Sequence, residues 1–174
     1  MKLLLFVVMV GVSVLAAGLY GALHNQISYA IAPEYFHVLK FPQFRIPAEM
    51  QNRTGAAVVG LAASWWMGLV LGVPVMALAL RVLGKASYVR TGLRAIALVI
   101  GLSAVCAGAA LGVMTLAATP DLAAQFDLPA GVTDRVAFLR AGAMHEGSYA
   151  GGLLGLLAAL FYTYRVRRKA GEQR

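Results

Sequence analysis

The chain has 174 residues, of which 60% are hydrophobic and 13% charged, and its mean hydropathy is +0.76. Water-soluble domains carry about 25% charged residues, so this composition argues against an ordinary soluble domain. The net charge of +8 would suit nucleic acid only on a soluble fold with a basic face; here the basic residues flank apolar runs, and no nucleic-acid partner is expected.

The first element, Leu3 to Leu23, is an uninterrupted apolar run behind Lys2. About 20 residues cross the hydrocarbon of a bilayer, so a span is expected over 3-23. Val14-Leu15-Ala16 could serve as a signal-peptide cleavage site, but the run continues well past Ala16, and a retained helix is the expectation. Residues 24-54 form the longest polar connection. Pro33, Pro42 and Pro47 punctuate it, so regular helix should stop near Ala32. Tyr29, Tyr35, Phe36, Phe41 and Phe44 make it too apolar for a solvated linker. A partly helical segment is expected, lying on the membrane surface or folded back over the helix ends.

The second span covers 55-80, holds Trp65 and Trp66, and should bend rather than break at Pro74. Gly68 and Gly72 give it a small-residue face for close packing. Asn52-Arg53-Thr54, just before it, matches a glycosylation sequon. Arg81, Lys85, Arg90 and Arg94 read as a basic loop leading to a third span, 95-118, with another glycine pair at Gly108 and Gly112. Thr119-Pro120 ends that span, and 119-142 is the second polar connection. Within it Thr133 is expected to cap a helix that starts at Asp134 and enters a fourth span, 143-164. Gly147, Gly151 and Gly155 give this last helix one smooth face. Cys106, the one cysteine, lies inside an apolar run and reads as a small buried hydrophobe.

The charges set the orientation. Lys2, the 81-94 segment and the tail after Tyr164 hold ten basic residues against one acid, Glu172. The two longer connections, with Glu146 at the start of the fourth span, hold five basic residues and six acids. The positive-inside rule then puts both termini in the cytoplasm. The expected fold is all-α, an integral membrane four-helix bundle forming one domain in the lipid bilayer.

On that topology His24, His37 and His145 all fall on the outer face. His24 ends the first span and His145 begins the fourth, so both should lie at one depth, and first and last helices of a bundle are often neighbours. Imidazoles with a carboxylate suit zinc, copper or iron, which makes His24, Glu34 and His145 the candidate ligands of a transition metal. Gln26, Tyr29, Tyr35, His37, Glu146 and Tyr149 complete an expected outer-face cluster. On a helix His145 and Tyr149 share a face, whereas Glu146 points elsewhere. The plain alternative is that His24, Gln26 and His145 only hydrogen-bond loop backbone. A quinone, haem or lipid headgroup closed in by Trp65, Tyr29, Tyr35 and a histidine, His24 or His145, is another, and so is a proton or anion path along Arg135, Arg140, His145 and Glu146. No charge lies deep in any span, which argues against transport.

His24-Asn25-Gln26, followed by Pro33-Glu34-Tyr35-Phe36, resembles a group of uncharacterised bacterial inner-membrane proteins, with a second echo over Met144 to Gly152. The resemblance implies a bacterial inner membrane and no chemistry. The leading functional expectation is a structural or accessory component of a membrane complex, contacting other subunits through its outer face. A metal- or redox-cofactor-binding protein is second, and a small transporter third.

Overall fold

The computed structural model describes residues 2–172, and their regular structure is all helical, without strands. Four long helices dominate the described residues: α1 (Lys2–Ile31), α2 (Arg53–Ala79), α3 (Lys85–Ala117) and α4 (Arg135–Glu172). Three of them, α1, α2 and α3, are long and apolar enough to cross a membrane. At 38 residues α4 also has the length, but it mixes glycines and tyrosines among its leucines and falls short of the others in apolarity.

Local chemistry explains the helix ends. Asn52 accepts the Thr54 N–H at 2.8 Å, so the asparagine of the sequon starts α2 as its N-cap. Thr119 caps the short helix Pro120–Ala124 in the same way, with proline in the first turn where its missing N–H costs nothing. The cap of α4 is Asp134, whose side chain accepts the Ala137 N–H at 2.9 Å. Thr133, the expected cap, is engaged elsewhere. A second difference concerns the 81-94 segment. Arg81 lies in a tight turn, but Lys85, Arg90 and Arg94 belong to the first turns of α3 rather than to a loop. Lysine, arginine and leucine are good helix formers, and nothing there stops a helix short of Gly84.

Small residues set the packing. A Cβ on Gly21 of α1 would strike Ser64 and the Gly60 carbonyl of α2, and one on Gly68 would strike the backbone of Ser13 and Val14. The two helices therefore run antiparallel at backbone contact. Gly147, Gly151 and Gly155 of α4 meet Cys106, Ser103 and Val99 of α3 in the same antiparallel sense. Gly108 and Gly112 behave differently: they face open space. The bundle is thus two hairpins, α1 with α2 and α3 with α4, joined by a thinner seam.

Each end of the bundle has its own core. At the end where α1 finishes, the 32–52 connection folds back over the helices as a π-helical turn (Tyr35–Lys40), a short helix (Phe41–Phe44) and a 3-10 turn (Ala48–Met50). Phe36 and Phe41 are fully buried there with Val59 and Phe138. At the opposite, basic end Met9, Met76, Tyr88 and Ala159 pack together.

A buried histidine pair at the capped end

His24 lies about two turns before the end of α1, and His145 about three turns into α4. Their rings touch, with centroids 4.6 Å apart and planes at 70°. Tyr35, from the folded-back connection, stacks on His145 at 5.0 Å and 19°. Tyr20, one turn before His24, approaches that ring at 5.7 Å and shares a 2.8 Å hydrogen bond with Ser148 across the seam. The pair is nearly sealed, His24 being 7% and His145 9% exposed.

Among the described residues neither imidazole Nε2 has a hydrogen-bond partner, although both atoms are buried. Such a group costs about 1–3 kcal/mol when left unpaired, so two in contact point to a ligand or ordered water between the helices. The space exists. A cavity of about 40 Å³ is lined by Tyr20, His24, Lys40, Ser64, His145 and Tyr149, among others. A water needs about 10–15 Å³ on this measure, so an ion with a water or two fits.

The rim adds a charge and an aromatic wall. The Lys40 ammonium lies 5.5 Å from the centre of the Tyr35 ring. Burial lowers the Lys40 pKa, with the Glu146 carboxylate opposing the shift. Burial, with the fields of Tyr149 and Glu146, raises the Tyr35 phenol, which stays protonated. Tyr35 is therefore a stacking wall and not an anionic ligand.

The other expected residues are elsewhere. Glu34 sits at the start of α4, where Oε2 accepts the N–H groups of Thr133 at 2.8 Å and Asp134 at 3.0 Å, and Oε1 accepts the Thr133 hydroxyl. The Thr133 hydroxyl first, then the two backbone N–H groups, hold this carboxyl below the usual range. Glu34 thus ties the folded-back connection to α4, at a helix terminus that favours negative charge. It does not join the histidines. Among the described residues no three or more His, Cys, Asp or Glu side chains gather as a metal group; of the expected ligands, His24 and His145 touch, and Glu34 is held at the start of α4 instead. His37 is exposed and bonds Tyr29 Oη at 3.1 Å. Gln26 does bond backbone, donating to the Arg53 carbonyl at 2.9 Å.

Glu146 points away from the pair, towards an apolar groove with Met114, Phe126 and Phe138, as its helical position predicts. Arg135 donates to the Ala123 and Phe126 carbonyls and Arg140 to that of Thr115, so both tie elements together. Trp65 is 49% exposed and takes no part in closing the cavity.

Sequence reasoning missed Tyr20, Ser148 and Lys40. The first two had a signal: they lie four residues before His24 and three after His145, on the same helix faces. Lys40 had none, because its place depends on the π-helical turn. No family model, curated protein or solved structure matches this chain, so these side chains alone carry the functional argument.

Proposed function

We propose that this is a four-span membrane protein with cytoplasmic termini, and that His24 and His145 bind a transition-metal ion near its outer surface. The observation carrying the metal reading is the contact of two buried imidazoles whose Nε2 atoms lack partners. The donor set favours copper. Structural zinc takes four protein ligands and catalytic zinc three, whereas this cavity offers two nitrogens and no carboxylate. Lys40 at the rim also opposes a highly charged ion, which suits the monovalent state. Bound copper would supply one-electron chemistry or be held as cargo. The chain then acts as an accessory membrane component.

The four-span layout is supported by the length of α4 and its antiparallel packing on α3. The excess of Lys and Arg at the basic end supports the orientation. The bacterial inner membrane is the setting that the sequence resemblance suggests.

The test is metal binding by the detergent-purified chain, titrated with copper(I) under reducing conditions and, separately, with zinc(II). One copper per chain is expected, with affinity reduced at least about tenfold in His24→Ala and His145→Ala. His37→Ala should bind as the wild type does. A wild type that takes up no stoichiometric ion, or a His37→Ala as weak as the pair variants, overturns the assignment.

A further inference from the structure

The basic end carries a second feature, independent of the ligand of the histidine pair. Over the first turns of α3, Lys85, Val89, Arg90, Leu93 and Arg94 line an open groove of about 580 Å³ whose far wall is Leu5 of α1. Residues 85, 89 and 93 form one row along the helix and 90 and 94 the next, so apolar and cationic side chains lie side by side. Arg90 and Arg94 are exposed, and Leu93 is 49% exposed beside them. Arg94 is steadied from α4, its guanidinium donating to Tyr162 Oη at 3.5 Å.

Arg90 and Arg94 have no acid close to them in the sequence. No Asp or Glu occurs between Glu49 and Asp121, so α2, the turn after it and α3 supply no counter-charge. Arg90 and Arg94 beside an apolar floor suit a ligand with an anionic head and an apolar body. Because α1 and α3 are both long and apolar enough to cross a membrane, their ends lie where phospholipid headgroups are.

We propose that this groove seats one anionic phospholipid, its phosphate between Arg90 and Arg94 and its acyl chains along Leu5, Val89 and Leu93. Guanidinium groups match phosphate through paired N–H donors, which makes the contact directional as well as electrostatic. A zwitterionic headgroup presents a phosphate too, but its ammonium meets the same cations and is disfavoured.

The experiment uses the full chain in neutral detergent, with phosphatidylglycerol, phosphatidylcholine and inorganic phosphate titrated separately and binding read by native mass spectrometry. Arg90→Gln is compared with Arg167→Gln, which removes the same charge from the tail at the same end. Expected are one tightly held phosphatidylglycerol, an affinity about tenfold lower in Arg90→Gln, and less than a twofold change in Arg167→Gln. Equal weakening by the two variants would mean diffuse attraction and overturn the site. So would phosphatidylcholine binding as tightly, or inorganic phosphate displacing the lipid at equal concentration.

Discussion

The two ends of the bundle solve the same problem with very different means. At the basic end the chain crosses from α2 to α3 in the few residues around Gly84, and the Lys2 ammonium donates to the Leu80 and Val82 carbonyls, each at 3.1 Å. At the capped end the 32–52 connection builds three short helical pieces and buries two phenylalanines. Unpaired buried polar atoms occur at both ends, Tyr88 Oη and Thr163 Oγ1 among them. At the capped end, however, two such atoms belong to touching rings that line one cavity. Joining helices requires only what the basic end has. The surplus at the capped end is therefore where function is to be sought.

The sharpest way to break this contrast is to damage each core in turn. Phe36→Ala should cost about 3–5 kcal/mol and Met76→Ala about 2–5 kcal/mol, both read from unfolding in detergent. The stability losses overlap, but Phe36 lies beside His145 (centroids 6.5 Å) and Met76 does not share that cluster. Phe36→Ala should therefore also weaken ligand binding at the pair, while Met76→Ala leaves it intact. Equal effects on binding would mean that the capped end is not a separate functional unit.

A middle-sized effect tests the packing. Gly60→Val forces a side chain into the Gly21 backbone and should cost about 1–3 kcal/mol or more. Gly108→Val, facing open space, should leave the melting temperature almost unchanged. A large loss in Gly108→Val would reveal a packing partner for that face of α3.

The smallest effect concerns Glu34. Its folded-state pKa lies below the ordinary value of 4.5, so its clasp contributes fully above that value. The contribution fades as pH falls through the lowered pKa. The melting temperature of Glu34→Gln should therefore sit slightly below that of the wild type near neutral pH, and the gap should close in acid. A gap that persists undiminished in acid would show that the carboxylate charge is not what holds the clasp.

Much of this was legible in the residues. The lengths and apolarity of α1, α2 and α3 came from composition, and the proximity of His24 to His145 from their places at the ends of two expected spans. The glycine rows at 68/72 and 147/151/155 marked real contacts because a missing side chain matters only where another backbone comes close. The row at 108/112 looked identical in sequence and marked none, since spacing fixes a face but not what lies opposite. Thr133 was the expected cap, but Glu34, 99 residues away, takes its hydroxyl, and the Asp134 side chain caps α4 instead. Hydropathy also placed the start of α3 at Ala95, ten residues late, because it follows apolarity while helix formation does not require it.

The seam between the hairpins has a consequence for how the protein is made. His24 belongs to the first hairpin and His145 to the second, so the two imidazoles meet only where the two halves dock. A chain made only as far as α2 holds His24 but not its partner in the pair, and it lacks the wall of the cavity that α4 supplies. Any ligand of the pair must wait for the last helix, and once bound it favours the docked arrangement over the parted one. On the proposed reading, a ligand of the pair is also a latch between the two halves.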